Sequence, residues 1–131
     1  MSLFISYSKK FPISVSLEEK LNTALSYIFN EEGIIDGSIN LKILTDEDMK
    51  ELNKRFRNKN TATNVLSFSN EDISKSITGN LGDIAISYEF VKRESKELKK
   101  NFDDHMIHML IHGVYHILGF DHENDEMADI M

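Results

Sequence analysis

The chain predicts an α+β fold, a mixed sheet of about four strands packed with helices, and three observations support it. Four short segments carry strand-like patterning. Between and after them lie longer segments whose apolar residues recur at helical spacing. No repeat, low-complexity tract or Pro-rich linker divides the chain, so residues 1–131 are expected to form one domain.

The first strand is Phe4-Ile5-Ser6-Tyr7, where apolar and polar side chains alternate. Ser16 opens the first helix, with Glu19 placed to complete a capping box; Leu17, Leu21, Ala24, Leu25 and Ile28 form an apolar stripe to about Asn30. Gly33 and Gly37 punctuate its exit. Ser38 to Leu44 alternates cleanly, with Ile39, Leu41 and Ile43 inward, and reads as a strand with one wet face. Thr45 and Asp48 cap a helix to about Arg55 that buries Met49 and Leu52. Arg57 to Thr63 is polar and turn-prone, a basic loop leading into the strand Val65-Leu66-Ser67-Phe68, whose apolar residues are assigned to the core. Ser69 to Gly79 is a polar excursion before the fourth strand, Leu81 to Ser87. Helices follow over about Tyr88 to Lys99 and Phe102 to Leu118, with a last one over Glu123 to Ile130.

Composition narrows the chemistry. A 40% hydrophobic and 28% charged chain is ordinary for a globular protein. No run of about eighteen apolar residues and no secretory leader is recognisable, so a cytoplasmic protein without membrane contact is expected. With no cysteine, thiolate metal sites and Cys nucleophiles are excluded, and imidazole and carboxylate must carry any metal chemistry. A net charge of −7 opposes general affinity for phosphate backbones, but the charge is segregated. Lys50, Lys54, Arg55, Arg57 and Lys59 stand against the single acid Glu51, whereas Asp121 to Asp129 holds Asp121, Glu123, Asp125, Glu126 and Asp129 with no Lys or Arg. A second basic cluster, Lys92, Arg93, Lys96, Lys99 and Lys100, is diluted by Glu94 and Glu97 and reads as a solvated helix face.

The most chemically specific stretch is His112-Gly113-Val114-Tyr115-His116-Ile117-Leu118-Gly119-Phe120-Asp121-His122. Four residues is just over one helical turn, so His112 and His116 project from the same helix face. An isolated pair of this kind is more often packed or exposed than ligating, but a third histidine follows. Gly119 can take the left-handed conformation that ends a helix, which lets the chain double back and bring His122 to the same ion. Three imidazoles leave a fourth position open, the mark of a catalytic rather than a structural zinc site. Asp121 is placed to accept a ligand's free ring N–H and fix its tautomer; its simpler reading is a turn residue. Imidazole suits several metals, and zinc, one per chain, is chosen on geometry and availability. Metzincin proteases share the spacing but carry Glu after the first histidine as general base. Gly113 stands there, which argues against a protease of that kind.

This stretch resembles the signature of the YbeY family, single-domain bacterial metalloproteins regarded as endoribonucleases of rRNA maturation, His-Gly-x-x-His-x-x-Gly-[Tyr/Phe]-Asp-His, at every position. Leu52 to Arg57, Thr63 to Phe68 and Leu81-Gly82-Asp83-Ile84 are similar to further segments of that family, and His108 sits where many members have a histidine. The likeness spans roughly residues 40 to 128. It departs at Ser69, where Pro is frequent, and in a last helix that is often longer.

The resemblance implies a metal-dependent, single-strand-specific endoribonuclease acting on the 3′ end of small-subunit rRNA and in ribosome quality control, with RNA and the ribosome or small-subunit proteins as partners and no DNA. It also places a functionally important arginine at Arg57, whose planar fork suits two phosphate oxygens. His112 and His116 would carry catalysis with Arg57, while Arg57, Lys59 and His108 would contact substrate. For Lys59 a solvated surface role, and for His108 and His105 packing, are the plainer assignments. Asp83 reads as structural. No general base is evident, and activated water and the RNA 2′-OH both remain open as nucleophile. Two other functions compete: a metal-dependent hydrolase of a non-RNA substrate, and a non-catalytic ribosome-associated metal-binding module.

Overall fold

The computed structural model describes residues 2–7, 13–34, 37–69 and 80–119. In chain order the elements are β1 (Ser2–Tyr7), α1 (Val15–Glu31), β2 (Ser38–Leu44), α2 (Asp46–Arg57), β3 (Val65–Ser69), β4 (Asn80–Ser87), α3 (Tyr88–Glu97) and α4 (Phe102–Ile117). The polar excursion over residues 70–79 and the last helix expected over 123–130 lie outside the described residues.

The first helix starts earlier than its capping-box signal indicates. Ser14, extended at φ −66° and ψ 153°, accepts the N–H of Leu17 at 3.0 Å, so Ser16 falls inside the first turn and Glu19 is no longer three residues past the cap. Either serine has the chemistry of a cap; the earlier one lets the buried Ile13 join Leu17 and Leu21 in the core. The second helix begins where expected, Thr45 Oγ1 accepting from Asp48 N at 3.1 Å. It runs two residues past Arg55 and ends on Asn58 in the left-handed region, a conformation Asn tolerates. Arg57 is therefore the last residue of a helix rather than the first of a loop. Three acids in the first turn and three bases in the last complement the dipole of α2.

The strands form one mixed sheet in the order β1-β2-β4-β3, with β1 parallel to β2, β2 parallel to β4 and β3 antiparallel to β4. The predicted α+β class is therefore the observed one. Ile39, Leu41 and Ile43 of β2 and Ile84 and Ile86 of β4 share the face covered by α1 and α4, and each such side chain withdrawn from water contributes about 1.5–3 kcal/mol. The opposite face carries a smaller cluster in which Met49 of α2 packs on Leu66 and Ala85, with Leu52 half-buried at its margin. No helix among the described residues is long and apolar enough to cross a membrane.

Two features aim the functional side chains. Helix α4 buries Met106, Leu110 and Val114 against the sheet. Because two residues rotate about 200° around a helix, His112 and His116 point away from that stripe. The start of α2 is also tied to α3. Ser87, the cap of α3, donates to Asp46 Oδ1 at 2.7 Å; Arg93 Nη1 lies 2.6 Å from Asp46 Oδ2, and Glu89 accepts from Asp46 N at 2.8 Å. Partial burial pushes the Asp46 carboxyl pKa up, but the hydrogen bonds from Arg93 and Ser87 together outweigh it and hold it below the ordinary value. Arg93, exposed like the other bases of its cluster, is thus also part of a helix-to-helix clamp.

Candidate active site

Strand β3 lies at the sheet's edge, and an open cleft of about 570 Å³ runs along it. One wall is the last turn of α2, with Phe56 and Arg57. The approach to β3 and the strand itself, residues 63–68, form the floor. Phe90 and Glu94 of α3 and His112 and His116 of α4 complete the enclosure. Val65, Leu66 and Phe68, assigned to the core from sequence, border this space, although Leu66 is also buried.

The histidine pair behaves as its spacing requires: both rings line the cleft from successive turns of one helix. His112 Nδ1 is buried and has no hydrogen-bond partner among the described residues. A pair of imidazoles opening onto one cleft, one with an orphaned ring nitrogen, suits a borderline cation such as zinc. The helix ends as the glycine predicts, Gly119 taking φ +91° with its N–H bonded to His116 O at 3.1 Å. His122 and Asp121 lie outside the described residues. Among the described residues no three His, Asp or Glu side chains converge as a complete ligand set.

A carboxylate that sequence reasoning assigned to a solvated face turns out to belong to the site. Glu94 Oε1 accepts from Asn64 Nδ2 at 3.1 Å and lies 2.7 Å from His105 Nε2. A carboxylate only accepts, so His105 donates from Nε2, while its Nδ1 is buried and unpartnered among the described residues. Both bonds fall on Oε1. Among the described residues Oε2 has none, although the side chain lines the cleft. Asn64 is held in turn, its Oδ1 accepting from Val65 N at 2.7 Å and its carbonyl from Ser87 N at 3.0 Å. No signal in the sequence marks Glu94, because its pairing with the buried His105 of the following helix is tertiary.

Arg57 lines the cleft and makes no ion pair or hydrogen bond among the described residues. Lys59 is exposed and lies outside the lining, as does His108, which packs edge-on against His105 with ring centroids 6.0 Å apart. Burial, with help from the nearby Lys100, His105 and His112, lowers the His108 pKa from its ordinary value and favours the neutral ring. Asp83 sits inside the sheet accepting from Asn40 Nδ2 at 2.9 Å, a structural role that keeps it from the cleft lining.

The structure also explains why the residue after His112 is glycine. A Cβ at position 113 would meet Ile84 Cδ1 at 2.9 Å and its Cγ1 and Cγ2 at 3.1 Å, so this face of α4 rests directly on β4. A glutamate here would point into the sheet, not toward His112 and His116. We expect Gly113→Glu to lower unfolding free energy in urea by about 3 kcal/mol or more, because it overpacks the core and buries a charge. A loss below about 0.5 kcal/mol would contradict the packing.

Comparison with known proteins gives a consistent result. The family described as Endoribonuclease YbeY matches residues 4–131. The chain is 36% identical over 121 residues to the Endoribonuclease YbeY of Francisella tularensis subsp. tularensis strain SCHU S4, covering 87% of this chain and 70% of that protein. It is 36% identical over 118 residues to that of Francisella philomiragia, covering 87% and 75%. The solution structure of TM1509 from Thermotoga maritima superposes with a TM-score of 0.64 at 29% identity, over 94% of this chain and 75% of that one. The chain belongs to the YbeY endoribonuclease family.

Proposed function

We propose that this protein is a zinc-dependent endoribonuclease that cuts single-stranded RNA, acting at the 3′ end of small-subunit rRNA and in ribosome quality control in the cytoplasm, with the ribosome or its small-subunit proteins as partners. The observation that carries the reading is one cleft in which two helix histidines, Arg57 and a braced carboxylate face the same space. His112 and His116, with His122 as third ligand, would hold one zinc ion per chain, and Asp121 would orient a ligand ring. When bound, zinc supplies Lewis-acid polarisation of the scissile phosphate.

Arg57 binds two oxygens of that phosphate as charge builds in the transition state. Lys59 adds diffuse attraction. Glu94 supplies the proton acceptor that the motif alone lacks. As the attacking hydroxyl, water or ribose 2′-OH, forms its bond to phosphorus, its proton passes to Oε2; the bond to the leaving ribose oxygen breaks, and solvent protonates that oxygen. Asn64 and His105 both bond Oε1, and among the described residues Oε2 has no partner.

The test compares wild type and Arg57→Ala on single-stranded RNA and on casein. RNA cleavage should fall about 100-fold in the variant, the scale of losing one transition-state donor, with casein untouched by either protein. Cleavage of casein, or RNA cleavage indifferent to Arg57, would contradict the reading.

A further inference from the structure

Phe56 is out of place for a residue of its size. It continues the Met49, Leu52 stripe of α2, which would ordinarily bury it, yet it is 58% exposed. Its ring lies 5.1 Å from that of Phe68 with the planes 59° apart, so Phe68 braces it at an angle and does not cover it. Both rings line the cleft that holds His112, His116 and Arg57. Around Phe56 the sequence runs Lys54-Arg55-Phe56-Arg57-Asn58-Lys59, an aromatic set among bases.

Resting on the endoribonuclease reading above, we propose that Phe56, supported by Phe68, is a stacking platform for one unpaired nucleobase next to the phosphate held by Arg57. An aromatic face with cations on either side matches one nucleotide of a single strand, the ring taking the base and the basic side chains the flanking phosphates. A base within a duplex already has both faces stacked and cannot reach such a platform without unpairing. The platform therefore favours single strands by geometry and is tolerant of sequence, because every base has a face to offer.

The chain has no tryptophan, so Phe56→Trp places a single reporter at the platform. The protein is titrated with a 2′-O-methyl single strand whose integrity after the titration is checked on a gel, with the same strand in a duplex, and with an abasic strand of equal length. The single strand should quench the Trp emission, and the other two should not. In parallel, Phe56→Ala and Phe56→Leu should each bind the labelled single strand about 5- to 100-fold more weakly than wild type, the range that base stacking supplies. Leu retains apolar bulk against Phe68, so its loss of binding separates stacking from loss of packing. Unchanged Trp emission while wild type binds the strand, or full affinity in Phe56→Leu, would overturn the platform and leave the nuclease reading intact. Failure of wild type to bind any single strand would overturn both.

Discussion

Replacing Glu94 by Gln should slow RNA cleavage by about 100-fold or more, the usual contribution of a positioned proton acceptor. Gln keeps the shape of the side chain and an oxygen that can still accept from Asn64, so the link across α3, β3 and α4 need not break. The amide that replaces Oε2 cannot take up a proton at working pH. A single-turnover rate for wild type and variant, alongside their thermal unfolding, distinguishes the two roles open to this carboxylate. If Glu94 only braces Asn64 and His105, the variant should cut RNA at close to the wild-type rate or fail through lower stability. A stable variant with a depressed rate is the outcome the cleft geometry predicts.

His116→Ala should have a still larger effect. A group that merely orients a ligand typically costs 10–100-fold in metal affinity or activity when removed, and a direct ligand should exceed about 100-fold. His116 is exposed on the solvent side of α4, so truncating it leaves Met106, Leu110 and Val114 packed and the fold in place. Zinc that binds only the native state stabilises it by about 2.7 kcal/mol at a hundredfold excess over its dissociation constant. Added zinc should therefore raise the melting temperature of wild type and not of the variant. A cleaving His116→Ala protein whose melting temperature still responds to zinc would remove this residue from the ligand set.

Much of the fold was legible because its signals are local. Alternation placed β2, and the Thr45 cap and left-handed Gly119 were correctly assigned. The misses came from competition or from contacts between distant residues. Two serines could cap α1, and only the burial of Ile13 separates them. Arg57 seemed to open a loop because α2's last turn is almost wholly polar, whereas Asn58 in the left-handed region is what stops the helix. At the site, the histidines declare themselves by spacing within one helix. Glu94 does not, because its identity as a cleft carboxylate depends on Asn64, 30 residues earlier, and His105, 11 residues later. Nor does the sequence alone show that Gly113 rests on Ile84, the contact that turns a departure from the protease pattern into a packing requirement.

The central claim is that the cleft-facing histidines of α4 hold one zinc ion per chain. Elemental analysis of the purified protein beside His112→Ala and His116→Ala, each dialysed against the same zinc-buffered solution, tests it most directly. The account predicts close to one equivalent of zinc in wild type and little in either variant. Equal zinc in all three proteins, or none in wild type, would contradict it.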